Sequence, residues 1–253
     1  MEESKILLAS VTDRFTKCQE QYAVTNTDFL DLRQGAMVKN LCHKLAQRTR
    51  DVQCVFYGGY EEAERGIMVF LPDYAAVEDY NPLGAIRVTT KEGSKILTHR
   101  DFLGSLTGAG IKREKIGDIL VGVNTTDIIV VKEIIPFLLY DYDKAGRTPL
   151  SLEEISLDEL YIPEARIREI KDTVASLRMD NVIAAAFSIP RSKAVTAIAS
   201  GQVFVNHEEI RKPDKQAYKG DKLVLRGKGK AVLKEASQKT RKGKTIVIFQ
   251  RWI

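Results

Sequence analysis

The chain has 253 residues, 44% hydrophobic and 29% charged, the proportions of a folded globular protein rather than a disordered or fibrous one. No apolar run reaches the roughly 18 residues that a membrane span needs. The start, with Glu2 and Glu3 ahead of the short patch Ile6-Leu7-Leu8-Ala9, lacks the basic segment and long apolar core of a signal peptide. A cytoplasmic address and no membrane partner are expected. The formal net charge of +5 is unevenly spread: residues 178–253 carry 17 Lys and Arg against 6 Asp and Glu, a net +11, and the rest a net −6. A basic end on a mildly acidic body points to a polyanionic partner for the C-terminal part.

Cys18, Cys42 and Cys54 are odd in number, scattered and without a CxxC pair, and His43, His99 and His207 are equally dispersed. They are read as buried free thiols, with neither a disulfide framework nor a metal site expected.

Along residues 1–75 the apolar positions Ile6, Leu7, Phe15 and Tyr22 suit a helix. Met37, Val38, Leu41 and Leu45 suit a second one. Val52, Cys54 and Phe56 alternate as a strand, Gly58-Gly59 make a turn, and Gly66 to Leu71 form a second strand that Pro72 ends. This is an N-terminal α/β unit.

Residues 76–165 read strand, helix, strand, strand, helix, strand. The strands are Ala85 to Thr90, Asp118 to Val121, Asp127 to Val131 and Leu150 to Ile155. Thr98 caps the first helix, which runs through Leu106, and Pro136 sits in the first turn of the second, Ile134 to Tyr142. That order is the ferredoxin-like plan, shared with RRM-like RNA readers. Ile86-Arg87-Val88 and Ile128-Ile129-Val130 put no aromatic residue on the central strands. Any RNA contact of this unit is therefore expected through charge, at His99, Arg100, Lys112, Arg113 and Lys115.

Glu164 to about Leu177 reads as a charged connector with a helix as its candidate structure. Beyond it, Met179, Val182, Ile183, Ala186 and Phe187 form an amphipathic stripe. Pro190 breaks that helix. A second helix runs to Ser200 with Val195, Ile198 and Ala199 inward, and Gly201 stops it. Val203 to Val205, Lys222 to Arg226 and Thr245 to Phe249 are strands, the last paired with Ala231 to Lys234. The fold class expected for the whole chain is α+β.

No catalytic set assembles. His99-Arg100-Asp101 has Leu106 where a kinase loop carries Asn, and Gly227-Lys228-Gly229-Lys230 lacks the spacing of a phosphate-binding loop. No enzyme activity, cofactor or small-molecule substrate is expected.

Residues 178–253 resemble the S-four RNA-binding domain. The resemblance lies in Arg178-Met179-Asp180, Arg191-Ser192-Lys193-Ala194, Ile198, Gly201-Gln202-Val203-Phe204-Val205-Asn206, Lys212-Pro213, Gly220-Asp221 and Arg226-Gly227. Pro190 stands where a Ser often caps the second helix, and His207 replaces the usual turn Gly. The start of the second helix, with Arg191, Ser192 and Lys193, is a phosphate seat by its backbone N–H groups and dipole. Arg178, Asn206, Lys212, Lys215, Lys228, Arg241 and Lys242 complete the expected RNA-binding set. Charge without stacking aromatics suits structured RNA.

Most of the chain is similar to the YlmH-type family. The similarity runs through Thr27-Asp28-Phe29-Leu30-Asp31, Gly58-Gly59-Tyr60-Glu61-Glu62-Ala63-Glu64-Arg65, Leu97 to Leu106, Gly110 to Ile119 and Thr240-Arg241-Lys242-Gly243-Lys244. It implies three units, at 1–75, 76–165 and 178–253: an α/β unit, an RRM-like domain and an S-four domain of two helices and a small antiparallel sheet. The expected function is non-catalytic, ribosome-associated RNA binding, with ribosomal RNA as partner and tRNA as a second candidate, in quality control or rescue. Two other readings compete: an RNA-modifying enzyme related to pseudouridine synthases, and an interaction module linked to cell division.

Overall fold

The computed structural model describes every residue except Met1, Arg48, Arg50, Glu92, 164–166, His207, Arg241, Lys242 and Ile253, and the side chains of Glu78, Gln238 and Lys239. It forms two compact units, Met1–Pro163 and Glu164–Ile253. Helix and strand mix throughout, as an α+β fold requires.

The first unit opens with α1 (Glu2–Gln21), β1 (Thr25–Asn26), α2 (Leu32–Ala46), β2 (Val52–Tyr57) and β3 (Ile67–Pro72), the strands in the order β1-β3-β2. In α1 the inward stripe is Val11, Phe15 and Cys18, while Ile6 and Tyr22 are exposed. Asp31 starts α2 through a reciprocal capping box with Gln34. Every residue of β3 is buried, because both of its faces are covered. Met68 and Phe70 pack with α1 and α2, and Ile67, Val69 and Leu71 pack on the sheet that follows. A strand in that position needs an unbroken apolar run rather than alternation.

The short helix α3 (Val77–Tyr80) leads to β4 (Leu83–Thr90), α4 (His99–Gly108), β5 (Ile116–Val121), β6 (Thr125–Val131), α5 (Ile135–Asp141), β7 (Lys144–Ala145) and β8 (Thr148–Ile155). The antiparallel order β5-β6-β4-β8-β7 is the ferredoxin-like arrangement extended by a two-residue strand that the sequence reading lacks. Ile86, Val88, Ile128 and Val130 face α4 and α5, closing on Phe102, Leu106 and Leu138. Their neighbours Leu83, Ile129 and Val131 face the other way, onto β3.

Thr98 and Asp101 cap α4 reciprocally. The Thr98 Oγ1 accepts from the Asp101 N–H at 3.3 Å, and the Asp101 carboxylate accepts from the Thr98 N–H at 2.8 Å and its hydroxyl at 2.7 Å. Those bonds from Thr98 hold the Asp101 carboxyl down at about 2, from an ordinary 3.8. A depressed carboxyl stabilises the fold above its unfolded value, and the contribution fades as pH falls through its folded one. Thr98→Ala is expected to cost about 1 kcal/mol and to return Asp101 toward its ordinary range, as read by equilibrium unfolding and carboxyl NMR. An unmoved Asp101 titration would contradict the capping assignment.

The second unit contains β9 (Ile167–Val174), α6 (Met179–Ala186), α7 (Arg191–Ala199), β10 (Val203–Val205), β11 (Glu208–Glu209), β12 (Lys222–Leu225), β13 (Gly229–Lys239) and β14 (Thr245–Trp252). Its six-stranded sheet runs β11-β10-β12-β13-β14-β9, with the helices closing the core through Val182, Ile183, Phe187 and Ile198 against Leu223, Leu233 and Phe249. The tail strand pairs as expected, Leu233 opposite Phe249. Two readings are corrected. Of the charged connector, Ile167–Val174 is a strand and not a helix: β9 pairs with β14 along its whole length, and its charged side chains are those of a solvated edge strand. Ala199 is exposed, and the inward face of α7 is Ala194, Ala197 and Ile198, because α7 meets the core along its Ala stripe.

Candidate nucleic-acid interface

The start of α6 does not sit open. The Met179 N–H donates to the Lys215 carbonyl at 2.8 Å and the Asp180 N–H to the Pro213 carbonyl at 3.0 Å. The 212–215 loop is thereby fastened against the helix start, which brings exposed Lys212 and Lys215 beside Arg178. The two helices are tied by one carboxylate. Asp180, 1% exposed, accepts from Arg178 (Nε 3.3 Å, Nη2 3.2 Å) and from Arg191 (Nε 3.2 Å, Nη2 2.7 Å), and also from the Asn181 N–H at 2.9 Å. Burial opposes its ionisation, but the two guanidinium groups outweigh burial and hold Asp180 below the ordinary carboxylate range. Arg178 and Arg191 remain 43% and 59% exposed at the side chain, so one buried carboxylate orients two cations toward solvent.

The start of α7 is open. Pro190 supplies no side-chain cap, and Arg191, Ser192 and Lys193 are exposed. The first N–H groups of a helix have no partner within it and carry partial positive charge. Arg178 is linked to this helix start through the Asp180 carboxylate that it shares with Arg191, and the loop that carries Lys212 and Lys215 is fastened at the start of α6.

Other residues of the expected set stand elsewhere. Asn206 adopts φ 51° and spends its amide on the turn, donating to Asp221 at 2.9 Å and accepting from the Lys222 N–H at 2.9 Å. Lys228 lies in the turn between β12 and β13, at the end of β12 remote from Lys222, with Arg251 donating to its carbonyl. Arg226 lies over the Phe204 ring and Arg251 over the Phe187 ring. Arg241 and Lys242 lie outside the described residues. The organiser of the site, Asp180, is absent from the expected set. An acid in the first turn of a helix stripe, two residues after Arg178, was its signal.

In the first unit the sheet face that an RRM offers to RNA is covered. Residues of β3 cover one part of it. Over the other, Arg87 donates to Asp127 at 2.8 and 2.7 Å, and the Tyr161 N–H donates to Asp127 at 2.7 Å. What remains for a polyanion is the rim. Arg100 and Lys112 are exposed there. Lys115 pairs with Asp28 at 2.9 Å and Glu133 at 2.7 Å, and Arg113 donates to the Ile116 carbonyl at 2.6 Å.

Four of the family segments, 27–31, 58–65, 97–106 and 110–119, meet at this rim. The 58–65 loop folds back so tightly that a Cβ on Gly58 would lie 2.3 Å from the Ala63 Cβ and 2.6 Å from the Arg65 carbonyl oxygen. It presents Tyr60 OH and the Glu64 and Arg65 N–H groups to Asp118 at 3.0, 2.7 and 3.1 Å. Arg65 donates to the carbonyls of Ile116, Arg113 and Phe29, and burial, then Arg113, lowers its guanidinium to about 10. Burial raises the Asp118 carboxyl. His99, in the first turn of α4, is lowered by partial burial and then by Arg113, against the opposing pull of Asp118 and Glu64. His99 is therefore expected to stay neutral at pH 7 and to give a polyanion no charge. An imidazole NMR titration should place its midpoint below 6.5. A midpoint above that value would mean that the two carboxylates dominate.

Residues 78–159 match the family described as "Putative RNA-binding domain in YlmH", and residues 177–223 match the S4 domain. The chain is 35% identical over 234 residues to "Ribosome-associated protein quality control protein P2" of Bacillus subtilis (strain 168), covering 92% of this chain and 89% of that relative. It is also similar to the solved structure "Cell division protein ylmH from Streptococcus pneumoniae", with a TM-score of 0.50 and 25% identity over 63% of this chain and 94% of that one. The two domain matches fall on the ferredoxin-like sheet and on the unit that holds the Arg178, Arg191 and Asp180 cluster, and the chain belongs to the YlmH-type family, with a C-terminal S4 domain.

Proposed function

We propose that this protein is a non-catalytic, ribosome-associated RNA-binding factor that seats a phosphate of structured RNA at the start of α7. One observation supports the reading: an uncapped helix start with exposed Arg191 and Lys193, tied through Asp180 to Arg178, lies inside an S4 domain. Ribosomal RNA is the partner, and tRNA on the large subunit a second one, in the quality-control setting named for the Bacillus subtilis relative. The ribosome association named for the Bacillus subtilis relative supports a cytoplasmic address. Within the division into 1–75, 76–165 and 178–253, the first part supports the second by covering its sheet. The last part gains β9, because β14 pairs with it.

The reading is tested by titrating one ribosomal RNA fragment with residues 164–253 and, separately, with residues 1–163. The C-terminal piece is expected to bind more tightly. If it engages about four to six phosphates, its log–log salt slope should be roughly −3 to −5. Equal binding by residues 1–163 would move the site to Arg100 and Lys112.

A further inference from the structure

The three cysteines, far apart in sequence, converge in the fold. Cys18 comes from α1, Cys42 from α2 and Cys54 from β2, and all three share one core with Met68 and Phe70. All are free thiols. Cys42 and Cys54 also line an open groove of about 630 Å³ with Lys39, His43 and Phe56. Cys18 is fully buried and does not reach the groove lining. The thiols are free as expected, Cys18 and Cys42 are buried, and Cys54 is half-buried.

Cys42 and Cys54 stand close enough to shift each other's ionisation, and they differ in access: Cys42 is buried and Cys54 half-buried. The neighbouring Cys54 sulfur, then burial, raises the Cys42 thiol. The neighbouring Cys42 lowers the Cys54 thiol against the opposing effect of burial. The more accessible of two neighbouring sulfurs is the one that a solute in the groove reaches first, and the buried neighbour is placed to resolve it. Among the described residues no group of three or more His, Cys, Asp or Glu is arranged to hold a metal ion.

We propose that Cys54 and Cys42 form a thiol-oxidation site, at which a hydroperoxide entering the groove converts the pair to a disulfide. The Cys54 thiolate attacks one peroxide oxygen, the O–O bond breaks and an alcohol, or water from hydrogen peroxide, leaves. Cys54 is thereby oxidised to a sulfenic acid. The Cys42 sulfur then attacks the Cys54 sulfur, the S–S bond forms, and the S–O oxygen leaves as water with the Cys42 proton. Two thiols are oxidised and one hydroperoxide is reduced. The bond closes the segment between α2 and β2 into a ring.

The test treats the reduced full-length protein with hydrogen peroxide, alkylates the remaining thiols and maps the peptides by mass. The expected product has lost about 2 Da, carries a Cys42–Cys54 link and leaves Cys18 alkylated. Cys42→Ser should stop at a sulfenic acid on Cys54 that dimedone traps. Cys54→Ser should slow oxidation by about tenfold or more, while Cys18→Ser should form the same link at the same rate. Two outcomes would overturn the proposal: a link that includes Cys18, or three thiols that oxidise in the native protein no faster than in the urea-unfolded chain. The wild-type measurement decides the matter if a variant fails to fold.

Discussion

Lys193→Glu combined with Lys212→Glu is expected to weaken binding to structured RNA by on the order of ten- to a hundredfold and to flatten the salt slope by about 2. Both side chains are exposed, one in the first turn of α7 and one on the loop fastened to the start of α6. An acid at the first turn is favourable to a helix dipole, so Lys193→Glu leaves α7 intact. Arg191 is unsuited to this test. Its guanidinium donates to buried Asp180 at 2.7 Å, and Arg191→Glu would set a second carboxylate against the first. The readouts are RNA affinity across a salt series and circular dichroism. Affinity within twofold of wild type, with the fold intact, would remove the start of α7 from the RNA surface.

Asp180→Ala is expected to destabilise the C-terminal unit by about 2 kcal/mol. The substitution deletes the acceptor shared by Arg178, Arg191 and the Asn181 N–H in a side chain that is 1% exposed. The full cost of breaking a buried ion pair is larger, but both arginines are about half exposed and water re-solvates them. The pH dependence has a definite sign. Asp180 titrates below the ordinary carboxylate value in the fold, so its contribution is complete above about pH 4 and fades as pH falls through the folded value. Urea unfolding of residues 164–253 at pH 7 and at pH 3 measures both effects. A difference between wild type and variant that is as large at pH 3 as at pH 7 would mean that the lost stability came from packing rather than charge.

The elements that sequence reading places well are those with a local cause. Thr98 and Asp101 cap α4 by themselves, Pro190 and Gly201 bracket α7, and the stripe from Met179 to Phe187 is buried along its length. The misses have non-local causes. Ile167–Val174 becomes a strand because β14, over 70 residues away, offers it an edge, and its charged composition shows nothing of that. The continuous burial of β3 depends on two different layers meeting it. The site divides in the same way. Arg191, Ser192 and Lys193 follow from helix start and composition. That Asn206 holds a turn, that Lys115 is paired twice and that Asp180 aims two arginines are facts of tertiary contact.

The most direct measurement is sedimentation of cell extract through a sucrose gradient, for the wild-type chain and for the Lys193→Glu, Lys212→Glu variant at equal abundance. Wild type is expected to travel with a ribosomal subunit at low salt and to be released as salt rises, and the variant to remain near the top. A wild-type chain that stays at the top at every salt concentration, or a variant that travels with the subunit as fully as wild type, would contradict a ribosomal RNA contact at the start of α7.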